Sequence, residues 1–220
     1  MVVLLFGATG SAGGSVLRAC LDAPEVTEVR ALVRRQPALA HGKLQTVMHD
    51  DFAAYDRARA AFAGVDACHY CLGKSVSQVS GEAEYRRITT DYALAAARAL
   101  QAESPAAVFH FVSGMGAALD SRFMWARVKA ETERELMGVC GAVCWRPASI
   151  DGEASASEPW LYGAMRPVMR LMRPFRSLYI QGEDIGRAML QASADGIRSR
   201  IVENAEMRDL ADRWRAAHPG

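Results

Sequence analysis

The chemistry of this chain begins with three glycines at fixed spacing. The run Gly7-Ala8-Thr9-Gly10-Ser11-Ala12-Gly13 follows a short apolar segment and leads into a stretch of helical pattern. Glycine there lets the chain turn sharply and lets backbone approach a ligand with no Cβ in the way. The start of the following helix offers free N–H groups and a partial positive charge, which suit phosphate. Strand, turn and helix in that order are the context of a dinucleotide-binding turn. Gly7, Thr9, Gly10, Ser11, Ala12 and Gly13 are then the candidate pyrophosphate contacts, against the alternative of a plain tight turn. The next strand end bears on the cofactor. A site for NAD(H) usually places Asp or Glu about 20 residues on, to bond the adenosine ribose. Here Val33-Arg34-Arg35 stands instead. Guanidinium groups match a ribose 2′-phosphate in charge and geometry, so NADP(H) is favoured over NAD(H). The competing reading is that Arg34 and Arg35 form a solvated loop.

The elements that must hold this turn follow from hydrophobic patterning. Short apolar runs alternate with longer helical stretches, the pattern of βαβ units and a parallel sheet. Strands are expected over residues 2–6, 28–33, 44–48, 67–71, 107–113, 142–146 and 200–202, and helices over 12–22, 55–62, 82–101, 121–138 and 184–193. The expected fold is α/β, a doubly wound parallel sheet of Rossmann type forming one domain over residues 1–220, with a small C-terminal substrate lobe at about 151–179. In that stretch the alternation fails and Pro159, Trp160, Tyr162, Met165, Pro167, Met169, Met172 and Pro174 collect. Arg166, Arg170, Arg173 and Arg176 recur every three or four residues, as in one basic helical stripe. That stripe is read either as a methionine-rich lid or as a packed helix with a solvated arginine face.

Further short motifs run along nearly the whole chain in order: His49-Asp50-Asp51-Phe52, Cys71-Leu72-Gly73, Thr90-Asp91-Tyr92, Val112-Ser113-Gly114-Met115-Gly116-Ala117 and Arg146-Pro147-Ala148. With the glycine turn they make the chain resemble the extended and atypical short-chain dehydrogenases/reductases, in particular the Tat-interacting-protein-like and NmrA-like branch. The resemblance implies that Asp51 contacts the adenine. It implies that Leu72 and Gly73, with Lys74 beside them, lie along the ribose and pyrophosphate, and that Pro147 and Ala148 pass near the nicotinamide. Local readings compete: Asp51 as a cap and Lys74 as a solvated surface residue.

Active members of that family use Ser, Tyr and Lys, the last two spaced i and i+4 on one helix face. The resemblance places Ser113 at the serine position and Lys129 at the lysine position, where it would also bond the nicotinamide ribose. Trp125 occupies the tyrosine position. An indole N–H donates a hydrogen bond but is no acid at neutral pH. Three outcomes stay open. Tyr162 or His110 supplies the proton, the reaction needs no such acid, or the protein binds NADP(H) without turnover. The first reading is therefore an oxidoreductase acting on a small carbonyl or quinone-like substrate. The alternative is a redox sensor working through a protein partner.

Composition sets the remaining bounds. The chain has 220 residues, about half hydrophobic and 23% charged, with a formal net charge of +1. That charge offers no field for nucleic acid or an anionic membrane, and no apolar run is long enough to span a bilayer. A protein partner or a homodimer stays open. Five cysteines, Cys20, Cys68, Cys71, Cys140 and Cys144, are scattered and odd in number. They read as core residues, with no metal site expected. No leader is apparent, and the default expectation is a cytoplasmic location.

Overall fold

The computed structural model describes residues 1–152 and 171–219. In chain order, β1 (Val2–Phe6) passes through the glycine turn into α1 (Ser11–Asp22), followed by β2 (Glu28–Val33) and β3 (Leu44–Met48). A 3-10 segment at Asp56–Phe62 precedes β4 (Ala67–Tyr70). Then come α2 (Glu82–Arg86), a wider helical turn over Arg87–Asp91, and α3 (Tyr92–Glu103). The second half holds β5 (Val108–Val112), α4 (Met124–Cys140), β6 (Val143–Arg146), β7 (Ser149–Asp151), β8 (Tyr179–Gln181), α5 (Gly182–Ala194), β9 (Arg200–Glu203) and α6 (Asn204–Ala217).

Seven strands form one sheet in the order β3-β2-β1-β4-β5-β6-β9, with every pairing parallel. β7 and β8 form a separate parallel pair. Side chains alternate across a strand, and here both faces are covered. Val3 and Leu5 of β1 enter a core closed by α1, α5 and α6, while Leu4 and Phe6 enter one closed by the 3-10 segment, α3 and α4. Apolar residues on both faces are what a parallel sheet between two helical layers requires. Strand order reverses between β1 and β4, which opens a crevice at their carboxyl ends. The glycine turn leaves β1 at that point.

The doubly wound α/β sheet agrees with the expectation from sequence, strand by strand. The β7–β8 pair is an addition the pattern did not suggest, and three other elements differ. The helix expected at 55–62 is a 3-10 segment, because Tyr55 turns inward against Phe6 and Phe62. The long helix expected over 82–101 contains the wide turn at Arg87–Asp91, where Thr90 Oγ1 meets Thr132 Oγ1 of α4 at 2.7 Å. α6 was not anticipated. Its sequence is dominated by charge, yet Met207, Leu210, Ala211 and Trp214 recur at helical spacing and are buried.

Of the stretch expected to form the lobe, Pro159, Trp160, Tyr162, Met165, Pro167 and Met169, with Arg166 and Arg170, lie outside the described residues. The returning chain at 171–178 is built of turns, so Arg173 and Arg176 do not continue a helical stripe. Arg176 is ion-paired to Asp209 and Asp212 of α6. Cys68 sits in one core and Cys71 packs against the other, as strand alternation demands of residues three apart.

Candidate active site

Gly7 has φ +78°, and a Cβ there would lie 2.6 Å from the carbonyl oxygen of Cys71. A Cβ at Gly13 would overlap the carbonyl oxygen of Gly7. Only glycine lets the turn fold this tightly onto α1 and onto the end of β4. The turn is closed by Gly10 N–H donating to Gly7 O at 2.9 Å. α1 begins with no side-chain cap and no acidic residue in its first turn. Its leading amides and positive end therefore face the crevice at Ser11, Ala12 and Gly13, with no side chain capping them among the described residues. Thr9 belongs to the same turn. The chain leaving β7 also arrives here, since a Cβ on Gly152 would stand 2.5 Å from Ser11 Oγ.

Around this turn the structure brings the other sequence-derived residues to the carboxyl ends of the strands. Arg34 and Arg35 follow β2 directly and are exposed. Asp51 is exposed after β3, held between His49, whose Nε2 contacts the Asp51 carbonyl at 2.7 Å, and Phe52, which is anchored on Phe6. Asp51 Oδ1 accepts the N–H of Ala53 at 3.1 Å, so its local capping role is present in the fold. Leu72 and Gly73 follow β4, Leu72 half-buried and Gly73 exposed. Lys74 is ion-paired with Glu84 at 3.2 Å rather than free along the crevice.

The candidate catalytic residues converge at β5 and α4. Ser113 is 3% exposed, its N–H donates to Trp145 O, and its Oγ is buried with no hydrogen-bond partner. A buried hydroxyl left unpaired costs about 1–3 kcal/mol, and none of the described residues offsets that cost here. Lys129 Nζ donates to the carbonyl oxygen of the same Ser113. Burial lowers the Lys129 pKa to about 8, against a smaller opposing pull from Glu133 one turn along α4. Trp125 is half-buried one turn before Lys129, its ring 3.7 Å from where a Cβ on Gly116 would be. The indole thus lies on the loop joining Ser113 to α4. Pro147 closes the other side, accepting Met115 N–H at 3.0 Å, and Ala148 N–H donates to Asn204 Oδ1 at 2.8 Å.

His110 is not part of this group. It points into the opposite core, fully buried, with Trp145 Nε1 donating to its Nδ1 at 3.1 Å and its Nε2 2.8 Å from Ser193 Oγ. It cannot deliver a proton to the crevice. Tyr162 lies outside the described residues.

Several positioning residues carried no signal in the sequence. Asn204 holds Ala148 and also donates to the carbonyls of Arg176 and Tyr179, tying the end of β6 to β8. Glu133, on α4, grips Arg146 at the end of β6. Tyr179 Oη donates to Asp151 Oδ2 at 2.8 Å, and these two with Arg173 and Gln181 line a cavity of about 350 Å³ beside the β7–β8 pair. Each depends on a partner far along the chain, which no local pattern reveals.

Comparison with known proteins agrees with this geometry. No protein-family model matches the chain. Among curated proteins it is similar to "Protein FMP52, mitochondrial" of Eremothecium gossypii, 26% identical over 96% of this chain and 97% of that one. The protein of the same name from Saccharomyces cerevisiae is 24% identical, covering 95% and 94%. These names overturn the expectation of a cytoplasmic location. That expectation was a default with no positive signal behind it. Among solved structures, an oxidoreductase of the short-chain dehydrogenase/reductase family from Burkholderia thailandensis superposes with TM-score 0.70 at 17% identity, covering 94% of this chain and 92% of that one. A UDP-glucose 4-epimerase superposes with TM-score 0.72 at 15% identity, covering 98% and 82%. A dTDP-glucose 4,6-dehydratase from Streptomyces venezuelae, solved with NAD bound, gives TM-score 0.69 at 16% identity, covering 99% and 81%. The chain therefore has the Rossmann-like fold of the short-chain dehydrogenase/reductase proteins.

Proposed function

We propose that this chain binds a nicotinamide dinucleotide, NADP(H) in preference to NAD(H), and acts as an oxidoreductase of the atypical short-chain branch to which the Tat-interacting-protein-like and NmrA-like proteins belong. The observation that carries this reading is the Ser113 hydroxyl, buried and unpartnered among the described residues, on the residue whose carbonyl Lys129 bonds, and the tight glycine turn after β1 supports a place for the pyrophosphate. Gly7, Thr9, Gly10, Ser11, Ala12 and Gly13 would hold the pyrophosphate, Arg34 and Arg35 the 2′-phosphate, and Asp51, Leu72 and Gly73 the adenosine side. Lys129, Pro147 and Ala148 would flank the nicotinamide end. When bound, the cofactor supplies or accepts a hydride. The protein's own share is to orient the substrate oxygen through Ser113 and to keep water from it.

The surroundings favour an apolar carbonyl or quinone-like substrate. Met115, Leu119 and Phe123 are exposed on the loop between Ser113 and α4, an apolar rim next to the reacting groups. The test is a panel of aldehydes, ketones and quinones with NADPH, read beside direct cofactor binding. Oxidation of NADPH by a member of the panel is expected. Binding without any turnover would favour the second reading, a sensor of redox state, which rests on Trp125. Trp125→Tyr is expected to raise turnover at least about tenfold, since a positioned acid contributes roughly 10²–10⁴-fold. No gain would show that the proton does not pass through position 125.

Cofactor choice has a separate test. Replacing both Arg34 and Arg35 with alanine is expected to weaken NADP⁺ binding at least about tenfold, because a hydrogen bond to a charged group contributes about 1.5–3 kcal/mol. NAD⁺ binding should change little. Equal weakening of both cofactors in titration calorimetry would mean that neither arginine reads the phosphate.

A further inference from the structure

We infer that Lys129 itself is the proton donor and acceptor of this site, taking the part that position 125 cannot play. The inference rests on the oxidoreductase reading above and deepens it. Four observations support it. Trp125 stands one turn before Lys129 on α4 and carries no proton that can be released at neutral pH. His110, a histidine of the adjoining strand β5, is locked in the opposite core between Trp145 and Ser193. Lys129 Nζ reaches the main chain of Ser113, whose hydroxyl is buried and awaits a partner. Gly114 leaves room beside that amine, since even a Cβ there would be 3.4 Å from Nζ.

The charges around the amine decide its behaviour. Glu133, on the same helix, favours the ammonium, but it is itself engaged by Arg146 of β6 through two hydrogen bonds. It still opposes the shift, but desolvation is the larger influence and prevails. The ammonium titrates near pH 8, where proton exchange in either direction is easy. In the reducing direction a bound reduced nicotinamide would supply the hydride for the carbonyl carbon. The C=O π pair moves onto oxygen, and that oxygen takes a proton from the Lys129 ammonium. Lysine is left as the neutral amine and regains its proton from water. Oxidation of the alcohol runs the same transfers in reverse.

Two measurements test this. The first needs no substrate: competitive labelling of the intact protein with acetic anhydride across pH, read at Lys129 by mass spectrometry. The expected midpoint is about pH 8, with protection by NADP⁺. A midpoint in the usual lysine range, above about 10, would overturn the inference. The second compares Lys129→Arg with the parent on whichever carbonyl or quinone the panel yields. Arginine keeps the charge toward the ribose but cannot give up a proton. NADP⁺ affinity is expected to stay within about threefold while kcat falls at least about a hundredfold, within the range of a lost general acid. In the parent, kcat for reduction should fall as pH rises through about 8. An arginine variant with near-parental kcat would overturn the inference. If no compound turns over, the oxidoreductase reading fails and the inference with it, whereas a labelling midpoint above 10 defeats the inference alone.

Discussion

Acidification from pH 6.5 toward pH 5 is expected to destabilise this protein steeply, well before its carboxylates titrate. The cause is a pair of buried histidines. His69 of β4 and His110 of β5 are side by side in the sheet register, fully buried, with ring centroids 5.0 Å apart. Desolvation lowers the His69 pKa from 6.5 to about 3, and it holds His110 well below the usual histidine range, helped by the neighbouring His69 and Arg198. The bonding at His110 fixes the neutral form. An indole N–H only donates, so Nδ1 must accept from Trp145 and the ring proton sits on Nε2, toward Ser193. His69 Nδ1 is 3.5 Å from Cys20 Sγ, its Nε2 has no partner among the described residues, and burial dominates at both rings.

The sign follows from proton counting. Above pH 6.5 both folded and unfolded chains hold neutral rings, and the pair adds no pH dependence. Below it the unfolded chain binds protons that the folded chain refuses, so stability falls. Well below pH 6.5 the slope approaches about 1.4 kcal/mol per pH unit for each histidine, or nearly 3 for the two. For His69 the loss continues down to about pH 3. Urea midpoints at several pH values between 7.5 and about 5 would measure it, and His69→Gln should roughly halve the slope. A flat profile over that window would mean the rings find protons or water in the folded state.

What the sequence made legible divides along physical lines. β1, the glycine turn and α1 are contiguous, and each is specified locally: an apolar run, glycines where a Cβ would collide, a helix with small residues facing the sheet. The doubly wound parallel sheet was legible too, because apolar runs alternating with helices leave few topologies once crossovers are right-handed. The placement of Ser113 and Lys129 together was also legible, although through resemblance and helical spacing rather than composition. What stayed hidden was pairing at long range. α6 gave no helical signal because its buried residues are outnumbered by arginine and acid, and only the contacts of Met207 and Trp214 disclose its inner face. Asn204 opens that helix and reads as an ordinary surface residue until Ala148, Arg176 and Tyr179 are seen to share it. His69 and His110 likewise read as strand residues until the register sets them against each other.

The pair formed by Glu133 and Arg146 shows how such a hidden contact governs the site. In the sequence Glu133 is one of three alternating acids on a helix, indistinguishable from Glu131 and Glu135. In the fold its side chain is 1% exposed and takes two hydrogen bonds from one guanidinium, at 3.0 and 2.7 Å. Arg146 reaches Glu203 as well, at 3.1 Å. The pair locks α4, which carries Trp125 and Lys129, to the strand end that runs into Pro147 and Ala148. Arg146→Met is expected to cost about 3–5 kcal/mol in chemical denaturation, the usual penalty for stranding one buried charge. Adding Glu133→Leu to the same chain should restore much of that stability, since well-packed apolar residues often replace a buried pair without loss. Function should not follow stability in that double variant. With Glu133 gone, nothing offsets the desolvation of Lys129, and its amine should titrate below the parent value in the labelling experiment. A loss under about 1 kcal/mol for Arg146→Met alone would show that Glu133 finds water, and the clamp between α4 and β6 would then have to lie elsewhere.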